Sequence, residues 1–452
     1  MMATPITDHL QPLKEWISQN REFDIIDLFS RLHSSDIAEL IDLLAEEEKI
    51  RLFSLLDVET ASEVILELSD LSRGQILEDI SAEKLTEIVE EMYSDDAADI
   101  IGDLPQAQAH SVLEAIEPED GEGLKKLLIY PEDTAGGIMQ SELVAVSDDK
   151  LVRDAVHAVI VSSQENDNIY DVFVVDQDRR LIGSVPLQRL VTSKRSTPLL
   201  EAIDRDLPSV TPEVDQEQVA RMFKKYDLLS LAVVDHEGRL LGRITIDDVV
   251  DVMEEETSED IYRIAGVSED DNALSRPFFS IRKRLPWLFI NLLTASVGAS
   301  VVAYFEGTIE MVAFIVVFMP MIAGLGGNAG GQVLALVVRG LALGELTLKN
   351  ARPVLLKEGA VGLINGMVVG AVIGFAGYLW KDIPMLGVVV FLAMTANILL
   401  GTLVGTLIPF TLKWLKFDPA LGSNIFITGL TDTMGFLVLL GLASFFLTLL
   451  VL

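Results

Sequence analysis

Asn424-Ile-Phe-Ile-Thr-Gly-Leu-Thr-Asp432-Thr-Met-Gly-Phe-Leu-Val-Leu-Leu-Gly-Leu442 is apolar enough to cross a bilayer and stays so to Leu452, yet it contains one carboxylate. A charge at membrane depth costs roughly 2.5–3.5 kcal/mol on insertion scales. Such a residue is normally kept for an ion path, a proton path or a buried partner. Asp432 therefore reads as the centre of a cation pathway.

The run belongs to a set of five, at about 286–305, 311–337, 355–379, 385–412 and 424–450. A spanning helix needs ~20 apolar residues, so 285–452 is expected to be a five-span α-helical membrane domain. Basic residues gather at alternate ends of the runs. Arg282, Lys283 and Arg284, then Arg339, Lys349, Arg352 and Lys357, then Lys413 and Lys416 fall on one side, with Lys381 alone on the other. By the positive-inside rule the N-terminal half is cytoplasmic and the C-terminus outside, in an inner or plasma membrane. Trp287, Trp380 and Trp414 lie near span ends, as interfacial belts do.

Within the spans, Gly362, Gly366, Gly370 and Gly374 recur every fourth residue, and Gly401 and Gly405 do the same. Such seams let helices approach closely. Pro320-Met-Ile-Ala-Gly-Leu-Gly-Gly-Asn328-Ala-Gly-Gly-Gln332 contains a Gly-x-Gly-x-x-Ala pattern, but no strand precedes it, so it is not a dinucleotide fingerprint. It predicts unwound or tightly packed backbone, with Asn328 and Gln332 on one helix face. Asn365, Thr395, Asn397, Asn424, Thr428 and Thr431 add polar atoms. Glu306, Glu310 and Asp382 at the outer face read either as acids that concentrate cations or as ordinary solubilising charge.

The charge of −35 is unevenly spread. From Arg282 onward there are 10 basic and 7 acidic residues, leaving 24 and 62 before it. An acidic half of this kind disfavours nucleic acid and favours cations. The chain has no cysteine, which excludes thiolate chemistry and disulfides. The five histidines all lie before Arg282, which excludes an imidazole relay in the spans. The first residues are polar, so no secretory signal is expected.

In the acidic half a pattern recurs at about 24 residues, beginning at Ser34, Val58, Ala82 and, more weakly, Gln106. Apolar residues at helical spacing, as in Ile37, Leu40, Ile41 and Leu44, predict stacked helix pairs, an α-helical superhelical N-terminal domain over 1–130. Beyond it, Val174-Val-Asp-Gln-Asp-Arg-Arg-Leu-Ile-Gly183 matches Val233-Val-Asp-His-Glu-Gly-Arg-Leu-Leu-Gly242 at an offset of 59. This tandem pair resembles cystathionine-β-synthase (CBS) domains, implying tandem α/β CBS domains at 138–200 and 201–260. In that family a Gly-x-x-Thr/Ser-x-x-Asp stretch holds a nucleotide ribose. The second copy keeps it, with Thr245 and Asp248 as the candidate nucleotide contacts. The first copy has Arg189 where the acid belongs, which disfavours ATP as a cofactor. The acidic residues of 245–272, from Asp247 to Asp271, alternate with apolar ones, so a helix is expected over 246–265 within a long acidic connecting helix region of 246–280.

The Pro320–Gln332 stretch, the five spans, the Asp418-Pro419-Ala420 corner, Asp432 and the domain order together resemble the MgtE family of magnesium channels. The resemblance covers essentially the whole multidomain chain. It implies a homodimer in the lipid bilayer, a pore on its two-fold axis, and closure when cytosolic Mg2+ is plentiful. Physical chemistry agrees, since Mg2+ keeps most of its water and is held by one or two carboxylates. Two copies of Asp432 would supply them, with the carbonyls of Thr428 and Gly429 and the side chains of Asn424 and Asn328 on the water shell. Regulatory Mg2+ is expected where Asp95 and Asp99 meet Asp248 and Asp251 by resemblance. Further candidate contacts are Glu59 with Gly137, Glu217 with Asp227, and Glu256 and Glu259 with Asp418. The rival readings are a coupled divalent-cation transporter and a nucleotide-sensing membrane-anchored CBS protein. Against an enzyme, GxSxG, GxxxxGK[ST] and HExxH are all missing.

Overall fold

The structure is a computed structural model of the 452-residue chain. It describes all residues except 1–5, 117, 165, 167, 269–270, 272–274, 276, 422 and 452. Glu269 and Asp270 of the acidic run thus lie outside the described residues. The chain divides into two compact units, Met1–Met253 and Glu254–Leu452.

The first unit opens with helices α1 (Thr7–Ser18), α2 (Glu22–Phe29), α3 (Ser34–Asp42), α4 (Glu46–Ser54), α5 (Val58–Glu67), α6 (Asp70–Asp79), α7 (Ala82–Glu90), α8 (Ser94–Asp103), α9 (Gln106–Ala115) and α10 (Pro118–Leu127). The 24-residue repeat is a helix pair. The capping residues of one helix set are His33, Asp57, Ser81 and Pro105, and those of the other are Arg21, Ala45, Ser69 and Tyr93. Asp57 and Ser81 accept from backbone N–H groups three residues on, satisfying donors that the first turn leaves orphaned. α3 stacks on α5, α5 on α7 and α7 on α9, while α4 stacks on α6. The interior is built from the periodic apolar residues, including Leu40, Ile41, Val64, Ile65, Leu85 and Ile88. Burying a side chain of this size stabilises by about 1.5–3 kcal/mol.

The CBS pair follows as β1 (Ala145–Ser147), α11 (Val152–Ser162), β2 (Asp171–Val175), β3 (Leu181–Pro186), α12 (Leu187–Thr192), α13 (Leu199–Ala202), β4 (Ser209–Val210), α14 (Gln216–Tyr226), β5 (Ser230–Val234) and β6 (Leu240–Thr245). Each half is a three-stranded sheet with one parallel and one antiparallel pairing. The 59-residue offset holds to the residue: Val174 pairs with Gly183, Val233 with Gly242, and both sheets shift register one residue later. The halves join through their turn tips, where Leu181 N donates to Gly238 O and Leu240 N to Arg179 O.

α15 (Ile246–Ala265) is the acidic helix, and the unit boundary falls inside it. It ends at Gly266, whose φ of +70° an L side chain rarely adopts. The helix is therefore confined to 246–265, shorter than the 246–280 acidic region.

The second unit contains α16 (Pro277–Tyr304), α17 (Glu306–Met311), a 3₁₀ segment at Ala313–Phe318, α18 (Met319–Ala342), α19 (Ala351–Lys381), α20 (Pro384–Trp414), α21 (Ser423–Phe445) and α22 (Leu447–Val451). Among the described residues five helical segments are long and apolar enough to cross a membrane. The first begins at Pro277 rather than near 286, because the basic collar is itself helical; Trp287 therefore lies well inside it. The glycine-rich stretch is packed, not unwound: α18 runs unbroken through it. A Cβ added at Gly330 would lie 3.0 Å from Gly401 O, and one at Gly366 would lie 2.9 Å from Thr395 Cα. The glycine seams are thus helix crossings where backbones touch.

Candidate ion-binding sites

In α21, Asn424, Thr428 and Asp432 are four apart and share a face. That face lies against glycines of α18. A Cβ on Gly331 would be 3.6 Å from Asn424 Oδ1, and one on Gly327 would be 3.8 Å from the hydroxyls of Thr428 and Thr431. Gly324, Asn328 and Gln332 form a second four-residue series on α18, and all three are exposed in the single chain. The two helices thus present a polar strip with Asp432, half-buried, as its carboxylate.

The structure engages two expected carbonyl ligands within the helix itself. Gly429 is buried against α16, where an added Cβ would lie 2.6 Å from Thr294 Cβ. Its carbonyl accepts from Thr433 Oγ1 at 2.7 Å, and that of Thr428 from Thr431 Oγ1 at 3.1 Å. An unbroken helix already engages these carbonyls, so the side chains of Asn424, Thr428 and Asp432 are what the strip offers.

The second site lies in the first unit, where the start of α8 meets the start of α15. Asp95 is 5% exposed, and its Oδ1 has no hydrogen-bond partner among the described residues. Burial, with the negative charges of Asp96 and Asp248, pushes its carboxyl well above the usual range. Asp96 is pushed up to about 7 by burial and then by Asp248, Asp99, Asp247 and Asp251. Asp248 is raised to about 6, chiefly by burial. Asp248 Oδ2 also accepts from Thr245 Oγ1 at 2.6 Å, Thr245 N at 3.2 Å and Gln140 Nε2 at 3.3 Å. Among the described residues no three carboxylates or imidazoles converge as a finished metal cage. The arrangement is a set of mutually repelling acids that protons or a cation would quiet. Asp96, Asp247 and Gln140 were not singled out as ligands from sequence; pairing at i, i+4 favours Asp95 with Asp99 and overlooks their neighbour.

The other expected contacts fare differently. Glu59 is exposed at the start of α5, and Gly137 sits in the turn after Pro131, where an added Cβ would lie 2.7 Å from Glu132 Cα. Glu217 begins α14 and pairs with Arg221, whereas Asp227 caps its far end with φ +51°. Ten residues of helix separate them, about 15 Å, so one chain alone does not close them on one ion. Asp418 and Glu259 are brought together, but by a side chain: Arg263 pairs with both, where a shared ion was expected. For the nucleotide contacts, Thr245 is fully buried and its hydroxyl is committed to Asp248. In the first copy Arg189 Nη1 donates to Ala202 O at 3.1 Å.

Comparison with known proteins accounts for this arrangement. Residues 319–442 match the model described as a divalent cation transporter, 32–133 the MgtE intracellular N domain, and 199–255 the CBS domain. The chain is 36% identical over 332 residues to the magnesium transporter MgtE of Thermus thermophilus, covering 73% of this chain and 74% of that protein. It is 35% identical to the magnesium transporter MgtE of Enterococcus faecalis, covering 73% and 72%. The crystal structure of the cytosolic domain of the Mg2+ channel MgtE in complex with ATP is similar at 31% identity and a TM-score of 0.52, covering 54% of this chain and 99% of that one. With domain matches in this order and relatives aligned over nearly three quarters of their length, the chain belongs to the MgtE family of magnesium transporters.

Proposed function

We propose that this transporter is a Mg2+ channel, closed by cytosolic Mg2+ bound among its acidic domains. The observation that carries the reading is the cluster of buried Asp95 with half-buried Asp96 and Asp248, each pushed up by burial and by neighbouring acids. Two carboxylates ~4 Å apart repel by about 4 kcal/mol at an effective dielectric of 20. Ionised, they push α8 and α15 apart; a divalent cation holds them together. Mg2+ binds the compact form better than the loosened one and therefore shifts the balance toward it. α15 continues into the second unit, so its position links the cluster to the spans.

Passage itself is assigned to the strip of Asn424, Thr428 and Asp432 beside Asn328. Mg2+ gives up its water reluctantly, which suits one carboxylate per chain and neutral groups for the water shell. A second copy of the chain would face this strip with another, making a homodimer the working assembly. The ATP complex of one solved relative makes a nucleotide a second candidate ligand of the CBS pair. Here Asp248 is occupied by Thr245, Gln140 and the acid cluster, which favours the cation at this end.

Limited proteolysis tests the gate. Millimolar Mg2+ is expected to protect the 130–140 segment, and equal cleavage with and without Mg2+ would refute the proposal. Asp432→Ala in proteoliposomes is expected to abolish Mg2+ flux, and undiminished flux would refute the path.

A further inference from the structure

Asn397 of α20 is an amide buried where α20 packs against α18 and α21. It is 1% exposed, its Nδ2 donates to Ile322 O of α18 at 2.7 Å, and its Oδ1 is buried without a partner among the described residues. An apolar side chain of the same volume would fill this place without burying an idle acceptor. The neighbouring turns of α20 are glycines, Gly401 and Gly405, which press on the backbone of Gly326 and Gly330. Asn397 therefore interrupts a glycine seam with a polar group.

The amide of α20 touches two other helices, α18 and α21. A Cβ added at Gly326 of α18 would collide with it. One added at Gly435 of α21 would lie 2.9 Å from its Nδ2 and 3.0 Å from Ile322 Cγ2. Gly435 is one turn beyond Asp432. The hydrogen bond fixes α20 against α18, and only a glycine fits where α21 crosses the amide. A slide of α21 by one residue along its axis would drive a side chain into Asn397.

We propose that Asn397 is a positioning residue of the cation path, which sets the depth of Asp432 relative to Asn328 and hence the preference for Mg2+ over larger divalent ions. The bond to Ile322 anchors the register, and the Gly435 crossing transmits it to α21. A strip that accepts a largely hydrated ion discriminates by the spacing of its polar groups, so a sub-ångström shift alters the ratio of ions carried as well as the total.

This rests on Asp432 lining the path, and the experiment separates the two. Full-length wild type, N397L, G435A and D432A are reconstituted in proteoliposomes, and Mg2+ and Ca2+ uptake are measured alongside thermal unfolding in detergent. N397L, close in volume, is expected to fold and to lower the Mg2+ to Ca2+ flux ratio at least about fivefold, since displacements near 1 Å carry effects of that size or more. G435A, which pushes α21 away from the other side, is expected to lower it too, and decides the matter if N397L does not fold. An unchanged ratio, or an equal loss for both ions, overturns the role of Asn397 while D432A remains inactive. Full Mg2+ flux in D432A overturns the path reading and this inference with it.

Discussion

Arg263 donates to Asp418, tying the last turn of α15 to the corner between α20 and α21 with a cation that belongs to the chain. The same guanidinium holds Glu259, one turn earlier on its own helix. Asp418 Oδ1 meanwhile accepts from Ala420 N at 2.7 Å, which fixes the corner. Beside this contact Ile264 packs with Leu334, Val404 and Ile427. The end of α15 is thus seated by an internal ion pair on an apolar bed.

Arg263→Gln is expected to make that seat depend on divalent cation. Without the guanidinium, Glu259 and Asp418 face each other uncompensated, a position a hydrated Mg2+ would relieve. In Mg2+-free buffer the variant should be cleaved in the 265–280 segment several-fold faster than wild type, with Mg2+ restoring protection. The side chains of Arg263, Glu259 and Asp418 are partly exposed to solvent, so the energetic change is modest, about 1 kcal/mol or less. Identical cleavage of the two proteins without Mg2+ would remove the seat from consideration.

Protons should substitute in part for Mg2+ at the α8–α15 cluster. Asp96 and Asp248 have folded values of about 7 and about 6, above those of unfolded carboxyls. Their docked arrangement is therefore fully favoured only below the ordinary carboxylate range, and that contribution is lost as pH rises through about 6 and 7. The groups around them are Asp95 and Asp99 from α8 and Asp247 and Asp251 from α15, all of one sign. Lowering pH from about 8 to about 5.5 should protect the 130–140 segment without Mg2+. A cleavage rate independent of pH over that interval would contradict the assignment.

The outline of both units could be read from sequence because it rests on local periodicity. A 24-residue repeat of apolar positions and capping residues needs no distant partner to be recognised, and neither does a 59-residue strand duplication. What could not be read depends on pairs far apart in the chain. The sequence suggests Glu256 and Glu259 sharing an ion with Asp418, whereas the side chain that joins Glu259 to Asp418 is Arg263, 155 residues from Asp418. Asp95 and Asp99 share a helix face at i, i+4, but that spacing says nothing about which residues of α8's first turn lie against the start of α15. Gly429 shares a helix with Asp432, yet only the packing of α16 shows that it faces Thr294.

Asp95→Asn should raise stability in the absence of Mg2+ and blunt the response to it. The substitution keeps the shape and removes one charge from a site where burial and two neighbouring acids already oppose ionisation. For a unit of this size a gain near 1 kcal/mol would appear as about 2–4 °C in the unfolding midpoint. The Mg2+-induced rise should shrink correspondingly. A midpoint lower than wild type in Mg2+-free buffer would show that the charge of Asp95 is already compensated.

The glycines of the second unit divide into those that hold helices together and those that line the strip, and alanine substitution should separate them. At Gly366 an added methyl lies 2.9 Å from both Cα and O of Thr395, backbone atoms that move only if α19 and α20 part. That overpacking should cost about 1–3 kcal/mol and appear as earlier unfolding in detergent. At Gly324 nothing lies within 4 Å, so Gly324→Ala should leave the midpoint within about 0.5 kcal/mol of wild type. Gly324 shares its helix face with Asn328 and Gln332, however, and a methyl there projects into the strip. Its expected effect is therefore on Mg2+ flux, which should fall while the fold is intact. A Gly324→Ala protein with normal stability and normal flux would place the path on another face of α18.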